Sequence, residues 1–228
     1  VLSQSYNERL RRAERHLVFN VTALLRVTAE SVNKPLDMIV DFKKIAEGGS
    51  FRVFETVFSD GFAAITRLPY PCTIPRSFGI ASEVATIQYL HLQGIPVPRL
   101  FGWATSAANP VGSEYMIMAK VQGQDLEQSW YDMTFQDRIS MMEKIVHVEK
   151  KLFNIRLPAS GSIYHRSFLE SQGISGAVIL DTGSDADEFC IGPSVELLWW
   201  YNQRDELSVN RGPCTSIFTT LLSTQWPS

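Results

Sequence analysis

The chain has 228 residues, 45% hydrophobic and 20% charged, with 21 Lys and Arg against 24 Asp and Glu and a formal net charge of −3. Such a length can bury a substantial core, which excludes a small disulfide-stapled scaffold, a long-repeat solenoid and a wholly disordered tail. The near-neutral balance excludes a nucleic-acid binder that works by bulk charge. Cys72, Cys190 and Cys214 are too widely spaced for a CxxC pair, the pattern of free thiols in a reducing compartment. His16, His91, His147 and His165 are scattered without the spacing of metal ligands, so no structural zinc is expected. No apolar run reaches the roughly 20 residues of a membrane span. Arg9, Arg11, Arg12 and Arg15 stand where a secretory signal needs an apolar stretch. Glu8 and Glu14 interrupt what would otherwise be an Arg-rich, transit-type start.

Residues Gln4 to His16 read as a charged helix. Asn20 is a candidate N-cap for the next one, because Val21, Leu24, Leu25, Thr28 and Val32 follow at helical spacing. Pro35 ends it. The period then changes. Met38 to Ile45 is an expected strand, Glu47-Gly48-Gly49-Ser50 a turn, Phe51 to Phe58 a second strand, Ser59-Asp60-Gly61 a hairpin turn and Phe62 to Leu68 a third strand. Val84, Ile87 and Leu90 mark a helix over Phe78 to Leu92, broken by Gly94-Ile95-Pro96-Val97-Pro98. Short strands are expected at Arg99 to Trp103 and at Glu114 to Val121, the second ended by Gln122-Gly123. A long amphipathic helix is expected over Phe135 to Asn154, with Ile139, Met142, Ile145, Val146, Val148 and Leu152 on its apolar stripe. Beyond it the signal weakens: short strands at Gly161 to Tyr164 and Glu188 to Ile191, a loop over Ser171 to Asp187, and a helical or aromatic stretch at Val195 to Tyr201.

Three antiparallel strands, a helix and two strands, followed by a helical region, resemble a protein-kinase-like phosphotransferase. Specific phrases narrow this to the aminoglycoside phosphotransferase and choline-kinase-like family, in its fungal branch that includes the altered-inheritance-of-mitochondria proteins. The most specific are Gly94-Ile95-Pro96-Val97-Pro98 and Asn109-Pro110-Val111-Gly112-Ser113-Glu114-Tyr115-Met116-Ile117-Met118. Further phrases at Gly161-Ser162-Ile163-Tyr164, Phe189-Cys190-Ile191-Gly192-Pro193-Ser194 and Asn210-Arg211-Gly212-Pro213 extend the resemblance from about Arg11 to Ser216.

The resemblance implies an α+β, protein-kinase-like fold. An N-terminal helical extension would span 1–36, a five-stranded antiparallel N-lobe with one helix 37–123, and a partial, mainly helical C-lobe 124–228. It implies a nucleotide site. Gly48, Gly49, Ser50 and Phe51 would cover the phosphates, where glycines let backbone N–H groups approach. Arg67 would grip phosphate in place of the family's usual Lys, and Glu83 would pair with Arg67 and hold it toward the nucleotide. Met118, Ala119 and Lys120 would offer backbone groups to an adenine edge. The implied cofactor is ATP with Mg2+, and the acceptor a small-molecule hydroxyl of unspecified identity.

Phosphoryl transfer also needs a base and metal ligands, which this family supplies from an H-x-D loop with an Asn five residues later and from a D-x-D strand. Neither occurs. His165-Arg166-Ser167 has no Asp, His147-Val148-Glu149 lies in the amphipathic helix, and Asp185-Ala186-Asp187 falls on the wrong side of the Phe189–Ser194 phrase. The expectation is therefore a C-terminally truncated, catalytically inactive copy with no catalytic or metal residues of its own. The alternative is a non-catalytic, pseudokinase-like module that binds nucleotide or a protein partner. A plain structural fragment would expose Ile217, Phe218, Leu221 and Leu222. A protein partner could cover the partial C-lobe; no nucleic-acid or membrane partner is expected. The expected location is cytoplasmic or mitochondrial.

Overall fold

The computed structural model of the chain describes residues 8–10, 12–181, 188–201 and 203–215. Asp185, Asp187, Ile217, Phe218, Leu221 and Leu222 lie outside the described residues, as does the start of the first expected helix. Helix α1 (Val21–Ser31) begins where the sequence places it, with Asn20 accepting the Ala23 N–H through its side chain. That contact satisfies one of the donors that a helix start leaves unpaired.

Strands β1 (Ile39–Glu47), β2 (Phe51–Phe58) and β3 (Ala63–Pro69) form the expected meander. Helix α2 (Phe78–Leu92) follows, then β4 (Leu100–Ala104) and β5 (Tyr115–Ala119). The sheet order is β1-β2-β3-β5-β4, so β5 inserts between β3 and β4, and all its pairings are antiparallel. Alternation divides the sheet into two faces. Phe54, Ala64, Leu68 and Ile117 pack with Leu24 of α1 on one face. Met116 and Met118, with the flanking Phe51 and Ile65, pack with Ile80 and Val84 of α2 on the other.

The fungal-type phrase Asn109–Gly112 owes its form to this packing. The Asn109 side chain donates to the Ser106 and Ser113 carbonyls and accepts from the Val111 and Gly112 N–H groups. Val111 is buried beside Leu24, and its carbonyl accepts the Asn20 N–H. Gly112 takes the left-handed conformation that closes the loop.

The second half holds strands as well as helices. It contains α3 (Leu126–Trp130), α4 (Phe135–Phe153), β6 (Ser162–His165), α5 (Arg166–Ser171), β7 (Val178–Ile179) and β8 (Phe189–Gly192). Strands β6, β8 and β7 form a separate antiparallel sheet. Two elements thus interrupt the loop expected over Ser171 to Asp187, the end of α5 and β7. Both are too short to carry a period. The stretch at Val195 to Tyr201 holds only a 3-10 turn, Leu197–Trp199.

The small sheet folds back onto α2. Ala85 and Tyr89 pack with Leu180, Phe189 and Ile191, while Ala81 packs with Tyr164, Leu169 and Cys190. Within this unit Gly192 lets β8 lie close to α5 and β6, since a Cβ there would come within 2.6 Å of Leu169 Cδ1 and 3.0 Å of Tyr164 Cδ2. Helix α2 is therefore held between two sheets.

Candidate functional site

The site suggested by the sequence lies on the α2 side of the five-stranded sheet. Val53 faces Arg67 across β2 and β3, Glu55 faces Ile65, and Arg67 and Ile65 face Met116 and Met118 on β5. Residues directly opposite in an antiparallel pair share a face. Val53, Ile65, Arg67 and Met118 thus form one surface.

Arg67 and Glu83 meet on this surface. The Arg67 guanidinium donates from Nη1 to Glu83 Oε1, and each side chain is about a quarter exposed (28% and 29%). The guanidinium also lies over the Phe51 ring, 4.3 Å from its centroid. A cation on an aromatic face with a carboxylate partner is held in place from two directions.

The Gly48–Ser50 turn is anchored at several points. Gly48 N–H donates to the Phe51 carbonyl at 2.9 Å, closing the hairpin. The Ser50 carbonyl accepts from Tyr70 N–H at 3.0 Å and from Thr73 Oγ1 at 2.7 Å. Neither Gly48 nor Gly49 has a positive φ, and an added Cβ at either meets nothing closer than 3.9 Å. Their openness leaves room above the turn, and the fold itself does not require glycine there.

Beneath the turn sits a network that the residue pattern did not announce. Glu47 accepts from Lys44 at 2.5 Å, Arg52 at 2.9 Å and the Tyr70 hydroxyl at 2.8 Å. These contacts, led by Lys44, hold its carboxyl down to about 2. Only the β1–β2 register and the return of Tyr70 bring Lys44, Glu47 and Arg52 together.

Met118 and Ala119 close β5, and Lys120 follows it. The Ala119 N–H donates to the Arg99 carbonyl at 2.8 Å and the Lys120 N–H to the Ala63 carbonyl at 3.3 Å. Both donors are therefore engaged, and the next residue, Val121, is 69% exposed. The Lys120 side chain turns to Glu55, donating at 2.5 Å, with Lys43 Nζ 3.3 Å from the same carboxylate. Glu55 is buried, and the Lys120 hydrogen bond holds its carboxyl below the ordinary range against the opposing effect of burial. This pair ties β2 to the segment leaving the sheet.

At the start of α2, Ser77 N–H donates to both Glu114 oxygens, at 3.2 and 3.3 Å. Glu114 thereby satisfies a helix-start donor from across the fold, although burial pushes its carboxyl up. Among the described residues, no group of three His, Cys, Asp or Glu side chains could hold a metal ion. No described helix is long and apolar enough to cross a membrane.

The chain is 35% identical over 179 residues to a subtelomeric hrmA-associated cluster protein of Aspergillus fumigatus, a match covering 78% of this chain and 34% of the relative. It is 25% identical over 232 residues to altered inheritance of mitochondria protein 9, mitochondrial, of Yarrowia lipolytica, covering 93% of this chain and 40% of the relative. The Saccharomyces cerevisiae protein of the same name is 31% identical over 178 residues, covering 71% and 28%. The chain is thus related to the fungal altered-inheritance-of-mitochondria proteins, and it spans about a third of the length of the curated relatives it matches. No family model matches the chain.

Proposed function

We propose that this chain carries the nucleotide-binding part of an ATP-dependent phosphotransferase with a protein-kinase-like fold, resembling the aminoglycoside phosphotransferases and acting on a small-molecule hydroxyl. The observation that carries the reading is the Arg67–Glu83 pair, set against Phe51, which follows the open glycine turn, and beside the apolar surface of Val53, Ile65 and Met118. Arg67 offers a planar fork of donors suited to phosphate oxygens, and Glu83 fixes its direction. The half-buried Val53 and Ile65 suit the face of a purine. With the Ala119 and Lys120 donors engaged, an adenine edge would find its backbone partner from Val121 onward.

ATP, when bound, supplies the phosphoryl group. The described residues hold no cluster that fits Mg2+, so no step is assigned to the metal. The sequence holds no H-x-D-x-x-x-x-N, and we assign these 228 residues a binding role without transfer. The alternative, a pseudokinase-like module, draws support from Arg67 in the place of a Lys and from the Phe51 ring lying over its guanidinium. The names of the altered-inheritance relatives place those proteins in mitochondria, and we extend that location to this chain.

A melting experiment with millimolar Mg·ATP tests the binding reading. A ligand at ten times its Kd stabilises by about 1.4 kcal/mol, which raises Tm measurably. Arg67→Ala should abolish the rise. No rise with the parent chain overturns the nucleotide assignment, and a rise that survives Arg67→Ala overturns the role of Arg67. Phosphate transfer or ATP hydrolysis by the 228 residues would overturn the binding-only role.

A further inference from the structure

A cavity of about 340 Å3 lies apart from the Arg67 surface, where α2, the end of β4 and the β6–α5 junction meet. We propose that it binds a small planar organic cation, such as an amidinium or a protonated aromatic amine. Its walls include Trp103 and His165, whose rings are parallel to within 4° with centroids 6.4 Å apart. Aromatic faces attract flat groups by dispersion and cations through the ring quadrupole. Trp103 is 40% exposed on an edge strand, so its indole is open to solvent at the cavity.

The charge favours a cation. Glu188 is the one charged side chain among the residues lining this cavity, and it is 56% exposed. His165 lies between two polar side chains, with Nε2 2.6 Å from Gln88 Oε1 and Nδ1 3.3 Å from Glu188 Oε1, and in its neutral form it donates from one nitrogen only. Burial pushes the imidazole toward its neutral form against the pull of Glu188, so it presents a flat face with little opposing charge. Thr105 and Ser167 add hydroxyls that can accept from an N–H donor. An adjoining cavity of about 510 Å3 shares Gln88 and Glu188 and is lined further by Ile87, Leu100 and Arg99. It gives room for an apolar body beyond the cationic head.

Calorimetric titration with benzamidinium, neutral benzamide and benzoate separates cation recognition from simple stacking. Benzamidinium should bind saturably and about tenfold or more tighter than either isostere, the ratio that 1.4 kcal/mol supports. Trp103→Leu and Glu188→Gln should each weaken it about fivefold or more, as expected for the loss of an aromatic face or a charge partner. Glu188→Gln alters a largely exposed carboxylate and should leave the melting temperature unchanged, so that loss of binding cannot be assigned to unfolding. The proposal is overturned by absence of saturable benzamidinium binding, by benzoate or benzamide binding as tightly, or by either variant binding like the parent chain.

Discussion

Helices α2 and α4 are of similar length and opposite fate. The 15 residues of α2 carry apolar side chains on every side, and six of them are buried. The 19 residues of α4 carry a clean apolar stripe, and none is buried. A helix apolar all round signals burial on more than one side, which α2 meets by lying between two sheets. The stripe on α4 marks a face for one partner, yet Ile139, Met142 and Val146 are 37%, 47% and 53% exposed. With Trp130 and Phe135 they line an open apolar cavity of about 580 Å3. Periodicity therefore records that a face can be buried, and contact with another element decides whether it is.

The sharpest way to break this contrast is to place a charge on each helix. Val84→Asp should cost more than about 4 kcal/mol, because an unpaired carboxylate would lie in a closed core. Met142→Asp should change stability by less than about 0.5 kcal/mol, as at other open surfaces. Urea unfolding reads both, and comparable losses would show that the α4 face is covered in solution.

Next in size is the tight packing of the small sheet's own strands with α5, beside α2. Gly192→Ala forces a Cβ into Leu169 and Tyr164 and should cost about 1–3 kcal/mol, the usual penalty of overpacking. Gly49→Ala, with nothing within 4 Å, should stay within about 0.5 kcal/mol. A neutral Gly192→Ala would mean that β8 sits more loosely against Leu169 and Tyr164 than its contacts indicate.

The smallest expected effect is electrostatic. Burial raises the Glu114 carboxyl above its ordinary 4.5, so the folded state binds its proton more tightly than the unfolded chain. Its contribution is fully present below 4.5 and is lost as pH rises through the raised value. Glu114→Gln should flatten that decline in a series of urea midpoints from acid to neutral pH. Glu47 has the opposite sign: held down to about 2, it contributes above the ordinary carboxylate range and loses that contribution as pH falls toward 2. Glu47→Gln should therefore lower stability at neutral pH and make the decline toward acid shallower.

Much of the fold was legible locally. The β2 and α2 limits, the Asn20 cap and the Asp60-Gly61 hairpin follow from short-range period and turn chemistry, which a single chain segment expresses by itself. The Arg67–Glu83 contact was legible through resemblance, since residues 16 apart announce no pairing. The Glu47 network and the Glu55–Lys120 tie were not. Each joins charges that are ordinary in sequence and become special when strand register sets them side by side.

The sequence by itself determined the meander and the two long helices, because hydrophobic period, caps and turns act within a few residues. Only the tertiary structure decided that β5 enters between β3 and β4, that the sheet from Ser162 to Gly192 closes over α2, and that Trp103 and His165 come to line one cavity. Those outcomes depend on which buried surfaces meet. That choice belongs to pairs of elements distant in the chain and is not encoded in either partner alone.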